Sequence, residues 1–263
     1  MARILEKPSN TNLPLIAFTS SALVFGVSER VVSKTPFLFG SSTRLDKQLT
    51  DQNIESLEQE KEIVRILQRK SHPNFLHTIL VFQQGIFMDY LHMTLYQRLT
   101  QPALPISPQL KARWIQQIVS AVAWLAELGL AHGDLRPNNI MLDKSANLKL
   151  IDFGCTVKFG DELVTGNPPF CKLDENLNTP LAGAESETFA IGSCLFNIHF
   201  GYPPLSGIDE QEMDEKWSKH EYPPTGDDEL GVIIQKCWDG EFESMAALDA
   251  VVKTLRSDEN LSA

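Results

Sequence analysis

Residues 129–154, GLAHGDLRPNNIMLDKSANLKLIDFG, decide how this chain is read. They set two aspartates, Asp134 and Asp152, and an intervening Asn139 among hydrophobic residues that read as short strands. Acid-bearing chemistry beside buried strands is costly unless it is used. The surrounding chain has the composition of a folded protein, with 43% apolar and 22% charged residues. Its 263 residues suffice for one large domain or two small lobes. A net charge of -11 and a pI near 5.0 argue against a broad basic face for nucleic-acid phosphates. Cys155, Cys171, Cys194 and Cys237 show no C-x-x-C spacing, so neither a zinc site nor a disulfide framework is expected, and a reducing intracellular compartment fits.

Upstream, Arg3 and Lys7 precede LPLIAFTSSALVFGV, superficially like an export leader. Thr19, Ser20 and Ser21 interrupt the apolar run, and two short strands joined by a polar turn account for it. The run is also too short and too polar to span a membrane. RVVSKT, HTILVF and GIFMDYL supply three further strands, rich in Val, Ile, Leu and Phe. Between them the polar GSSTRLDKQLTDQN leads into a helix over IESLEQEKEIVRILQRK, with Ile54, Leu57, Val64 and Leu67 at helical spacing. From Thr94 onward the pattern turns helical. Ser107 and Pro108 read as a cap and first-turn proline, followed by one apolar face through Trp114, Ile115, Ile118, Val119, Val122 and Leu125. ETFAIGSCLFNIHFG is apolar nearly all round and reads as a helix buried at the centre of a lobe; ELGVIIQKCW and SMAALDAVVKTL read as amphipathic helices.

An Asp, an Asn five residues on, and an Asp in DFG after LKLI suit phosphoryl transfer from ATP. Phosphate charge must be neutralised by metal ions, and hard Mg²⁺ prefers carboxylate and amide oxygens. Asn139 and Asp152 are the expected metal ligands, and Asp134 the group that orients an acceptor hydroxyl and takes its proton. His132, Gly133, Asp134, Leu135 and Asn139 form the pattern H-G-D-L-x-x-x-N.

On HGDLRPNNIMLD, LIDFG, GNPPF, FAIGSCLF and KCWDGE, taken in order, the chain resembles the eukaryotic-type protein kinase superfamily, most closely a compact branch of fungal kinase-like proteins. The resemblance covers nearly the whole chain. It implies an α+β, two-lobed fold: a small five-stranded antiparallel lobe with one helix (1–88), a hinge (89–94) and a larger, mainly helical lobe (95–263), together one domain. It implies ATP and Mg²⁺ as cofactors, a protein substrate, and neither nucleic-acid nor membrane partners. Lys34 would hold the nucleotide phosphates, with a glutamate from the first helix as its partner. Glu60 and Glu62 compete for that place; Glu60 is chosen because it shares the apolar ridge of Leu57 and Val64. Met88 would back the adenine pocket, with Asp89 and Leu91 offering backbone C=O and N–H.

The pattern also departs from the family. The glycine-rich loop positions fall on Ala17, Thr19 and Ala22, counted back from Val24, and each side chain restricts close backbone approach to phosphate. Gly133 replaces the arginine that binds a phosphorylated activation loop, so activity independent of such phosphorylation is expected, with Thr156 and Thr165 as ordinary loop residues. Asp174 lies near the place of the A-P-E glutamate without an arginine partner. Glu187 takes the place of the aspartate that ties the buried helix to the catalytic loop. Arg136 replaces a lysine and leaves the Ser/Thr or Tyr class open. The leading expectation is a protein kinase acting on Ser or Thr in the cytoplasm or nucleus. The alternatives are a pseudokinase binding module and a small-molecule or KEOPS-type phosphotransferase.

Overall fold

The computed structural model describes residues 12–40, 43–101 and 104–255. Arg3 and Lys7 lie outside them. The described residues divide into two compact units, one holding those between 12 and 72 with 76–91 and 152–154, the other 73–75, those between 92 and 151, and 155–255.

The first unit is a five-stranded antiparallel sheet with one long helix. Strands β1 (Leu15–Phe18), β2 (Ala22–Gly26), β3 (Val31–Pro36), β4 (Thr78–Phe82) and β5 (Gly85–Asp89) are ordered β1-β2-β3-β5-β4. β3 is central because Val32 to Thr35 are all buried, whereas β1 is an edge strand exposed along its length. The helix α1 (Arg44–Arg69) begins ten residues before the apolar pattern that predicted it. Thr43 caps it by accepting the N–H of Asp46 at 3.1 Å, and a polar first stretch is tolerated because packing is needed only from Leu57 onward.

The second unit is mainly helical. It contains β6 (Met93–Thr94), α2 (Leu95–Leu99), α3 (Pro108–Glu127), β7 (Leu130–Ala131), β8 (Ile140–Leu142), β9 (Leu148–Leu150) and β10 (Val157–Lys158), then α4 (Ala184–Phe200), α5 (Glu210–Ser218), α6 (Glu229–Asp239) and α7 (Met245–Val252). Ser107 caps α3 and Pro108 opens it, as the sequence predicts. α4 is buried from Ser186 to His199 and packs on α3, α6 and α7, which is why it carries no polar face. Gly192 lets α6 approach: a Cβ there would lie 2.7 Å from the Cβ of Cys237. α2 and the two-residue strands escape sequence reading because they are too short to show a period, and α5 escapes because EQEMDEKWS carries only Met213 and Trp217 as apolar residues. None of the four cysteines forms a disulfide. No helix among the described residues is long and apolar enough to cross a membrane.

Candidate active site

In the first unit, β3 delivers Lys34 and α1 delivers Glu60. The Lys34 ammonium lies 2.9 Å from Glu60 Oε1, 2.7 Å from Oε2 and 2.6 Å from Asp152 Oδ1. Glu60 faces inward because it lies on the buried ridge with Leu57, Val64 and Leu67. Glu62 points the other way and pairs with Arg65 on the surface. Burial opposes the Lys34 charge, but the two carboxylates outweigh it and raise the lysine's pKa above its ordinary value. Burial likewise pushes the Glu60 carboxyl up; Lys34 pulls it down, and Asp152, sharing the same ammonium, pushes it up again. Asp152 has a φ of +63°, a left-handed conformation that Asp tolerates better than most side chains. Sequence reasoning missed a second buried lysine, Lys61, whose ammonium donates to the carbonyl of Gln83 at 2.7 Å and pairs with Glu58 at 2.6 Å.

The four positions of the glycine-rich pattern form a tight hairpin. Ala17 pairs with Val24, and Val24 in turn with Lys34. Thr19 closes the turn: its N–H donates to Ala22 O at 2.9 Å, and its Oγ1 accepts from Ala22 N at 3.0 Å. Ala22 is fully covered. Ser21 fastens this turn to its surroundings, its carbonyl accepting the N–H of Phe37 at 2.9 Å and its hydroxyl lying 3.3 Å from that of Ser56 on α1. Met88 and Asp89 end β5 opposite Val32 and Val31; Leu91 follows, and all three are half-buried.

In the second unit the loop after β7 carries Asp134 and Asn139. The Asn139 amide donates to the Asp134 carbonyl and to its Oδ2, both at 2.8 Å. Asp134 Oδ1 accepts from Asn167 Nδ2 at 2.8 Å, and that amide also donates to Thr165 Oγ1 at 2.9 Å. Arg136 Nε lies 3.3 Å from Asp134 Oδ1, within ion-pair range but without the alignment of a hydrogen bond. Asn167 thus supplies the donor at this oxygen. Sequence reasoning quoted GNPPF but gave Asn167 no role, since nothing local links it to an acid 33 residues away.

This loop hangs from α4. Glu187 Oε2 accepts the N–H of His132 at 2.9 Å and Oε1 that of Gly133 at 3.3 Å. Burial pushes the Glu187 carboxyl up, while His132 and the two N–H donors pull against it. Ser193 donates to the carbonyl of Pro169 at 2.5 Å and accepts from Trp238 Nε1 at 3.0 Å, anchoring the segment that carries Asn167. Gly133 is more than a missing arginine. Its φ is +77°, and a Cβ would sit 2.3 Å from the carbonyl oxygen of Cys155. Thr156, expected to be an ordinary loop residue, is buried and donates to the carbonyl of His132 at 3.3 Å. Asp174, near the place expected for an ion-pair glutamate, spends its carboxylate on the N–H groups of Asn176 and Asn178.

A sheet whose central lysine is paired with a helix glutamate, and a helical unit that suspends an Asp–Asn loop from its buried helix, define the protein-kinase class of phosphotransferase fold. The comparisons agree: residues 42–256 match the protein kinase domain, and the chain belongs to that family. The match begins after β3, so Lys34 and the β1–β2 hairpin precede it. Among curated proteins, human NUAK family SNF1-like kinase 1 is 28% identical over 203 residues, covering 73% of this chain and 30% of that protein. CBL-interacting serine/threonine-protein kinase 21 of Arabidopsis thaliana is 33% identical over 171 residues, covering 61% and 40%. Serine/threonine-protein kinase kin-29 of Caenorhabditis elegans is 28% identical over 166 residues, covering 60% and 20%. The chain thus matches well under half the length of these relatives. Membership of the family implies, in general terms, ATP and a divalent metal. Taken separately, the two expected donors are of the type a hard cation prefers: the Asn139 nitrogen is committed to Asp134, which leaves its amide oxygen, and Asp152 is a carboxylate.

Proposed function

We propose that this protein is an ATP-dependent protein kinase that transfers the γ-phosphoryl group to a Ser or Thr hydroxyl of a protein substrate, with residues 1–263 forming a single kinase domain. The observation that carries the reading is Asp134, whose two carboxylate oxygens are each held by an amide donor, so that the acid is oriented as a fixed proton acceptor. In the proposed reaction the acceptor hydroxyl gives its proton to Asp134 as its oxygen bonds to the γ-phosphorus. The bond from that phosphorus to the β,γ-bridging oxygen breaks, and ADP leaves with the electron pair. Lys34, kept protonated by Glu60, holds the α- and β-phosphates. Asn139 and Asp152 would each offer an oxygen to Mg²⁺, which supplies neutralisation of phosphate charge when bound. Asp89 and Leu91 would meet adenine through their backbone, Met88 would line the pocket, and the hairpin of Ala17, Thr19, Ala22 and Val24 would cover the nucleotide. Arg136 adds positive charge beside the acceptor. Named serine/threonine kinases among the relatives support the hydroxyl class.

The resemblance to compact fungal kinase-like proteins and a cytoplasmic or nuclear location belong to the same proposal. A pseudokinase is the second reading, favoured by the β1–β2 turn, which is bonded to itself and to α1 instead of offering glycine backbone to phosphate. The deciding assay is Mg²⁺-dependent transfer of labelled γ-phosphate to the protein itself and to a generic protein acceptor. The kinase reading expects transfer that is lost in Asp134→Asn and in Asp152→Asn. Saturable ATP binding with no transfer by the unaltered protein selects the pseudokinase.

A further inference from the structure

Helix α1 is tied to its sheet by a polar stripe that its apolar pattern does not reveal. Thr50, Asn53, Lys61 and Gln68 share one face with Leu57 and Val64, each member three or four residues from the next. Thr50 Oγ1 accepts the N–H of Phe39 at 3.0 Å, and the Asn53 amide donates to the carbonyl of Phe37 at 2.8 Å. Farther along, Lys61 donates to the carbonyl of Gln83 at 2.7 Å, and Gln68 to that of Thr78 at 3.1 Å. Phe37 and Phe39 follow the end of β3, Thr78 opens β4 and Gln83 lies in the turn between β4 and β5, so the ties run along the helix.

Lys61 is the tie that is costliest to break. Its side chain is 2% exposed, and an ammonium so enclosed needs its acceptors. Glu58, its other partner, is 54% exposed and screened by water, which leaves the Gln83 carbonyl as the fixed point. That carbonyl belongs to a turn built against the strand of Lys34: a Cβ at Gly85 would lie 2.2 Å from the Lys34 carbonyl oxygen, and Ile86 pairs with Lys34 across the sheet. One turn thus sets both the place of Lys34 and the seat of α1. Successive helix residues are about 100° apart, so Glu60 and Lys61 do not meet each other but reach separate partners. Rotating α1 by one residue would strip Lys61 from Gln83 in the same movement that takes Glu60 from Lys34.

We propose that Lys61 is a positioning residue. By seating its ammonium on the Gln83 carbonyl it fixes the rotation of α1, so that Glu60 faces Lys34 without an activating phosphate or partner protein to set the helix. The catalytic consequence rests on the kinase reading, but the coupling of Lys61 to the Lys34–Glu60 pair does not depend on transfer.

The test is a double-mutant cycle on the full chain, read by urea unfolding at neutral pH. Lys61→Met keeps an unbranched side chain and removes the donor; the background Lys34→Met, Glu60→Gln has no pair left to position. Lys61→Met is expected to lower the folding equilibrium constant about fivefold more in the unaltered protein than in that background. Equal effects overturn the proposal, because a lysine that only supports the fold costs the same in both. Should Lys61→Met fail to fold, Asn53→Ala, at a half-buried site, goes through the same cycle with a coupling of about twofold expected and additivity again adverse. In the transfer assay Lys61→Met should lose about tenfold in kcat with KM for the protein acceptor unchanged. Glu58→Gln, which alters only the exposed partner, should change kcat less than about twofold. An unchanged kcat in Lys61→Met, or an equal loss in Glu58→Gln, overturns the proposal. Coupling without any transfer by the unaltered protein upholds the positioning of Glu60 and sinks the kinase reading; additivity with transfer intact sinks the positioning alone.

Discussion

At the scale of single residues, Asp134 has both oxygens engaged, and the donor at Oδ1 is Asn167 instead of the nearer-by-sequence Arg136. A hydrogen bond to a charged acceptor is worth about 1.5–3 kcal/mol, so its loss should matter more than loss of a misaligned guanidinium. Asn167→Leu, similar in size but without a donor, is expected to lower kcat about tenfold or more while KM for ATP and the thermal midpoint hold. Asn167→Ser, which restores a donor, should recover much of the loss. An unaltered kcat in Asn167→Leu would refute a positioning role. Thr165→Ala removes the weaker of the two acceptors of that amide, and the bond to the carboxylate persists; activity should fall less than about threefold. A larger loss would mean that the Thr165 hydroxyl does more than orient the amide.

Among the elements, α4 is the frame of the second unit's site. Glu187 holds the backbone of His132 and Gly133, Ser193 holds Pro169, and the Cys194 thiol lies 3.9 Å from the carbonyl of Leu135. Glu187→Gln would turn an amide NH₂ toward a backbone donor, and one N–H of the loop would be left buried without an acceptor. The expected cost is about 1–3 kcal/mol in urea unfolding, with activity falling as well. A change below about 0.5 kcal/mol would show that the loop is held elsewhere. The β1–β2 turn makes the opposite case. Thr19→Gly restores a glycine of the family pattern but removes the Oγ1 that closes the turn on Ala22. It should destabilise by about 1 kcal/mol. Stabilisation in the same measurement would argue that the side chain strains the turn.

For the molecule as a whole, the buried charges give stability a pH dependence with a definite sign. The folded-state pKa of Lys34 is raised above its ordinary 10.5, so its contribution is fully present below that pH and is lost as pH rises through the higher folded value. The double variant Lys34→Met, Glu60→Gln removes the ammonium together with its buried helix partner, while the Asp152 side chain, 27% exposed, keeps access to solvent. Between about pH 9.5 and 11.5 its denaturation midpoint should fall less steeply than that of the unaltered protein. Parallel curves would mean that the ammonium is not held by these carboxylates in solution.

Local sequence determined much of this protein. Local pattern predicts the five strands of the first unit, the capped α3 and the all-apolar α4, because β-branched and aromatic runs, a cap followed by one apolar face, and an unbroken apolar run are each visible among sequence neighbours. The inward ridge of α1 also distinguished Glu60 from Glu62, since neighbours three and four residues apart share a helix face. Tertiary structure alone decided the rest. Asn167 meets Asp134 only when the segment anchored by Ser193 and Trp238 is folded back on the loop. Gly133 is required by the carbonyl of Cys155, Lys61 is buried by the turn at Gln83, and the family's glycine loop is replaced by a hairpin pinned to Ser56. In each case a hydrogen bond or a steric limit joins residues far apart in the chain, and periodicity carries information only about neighbours.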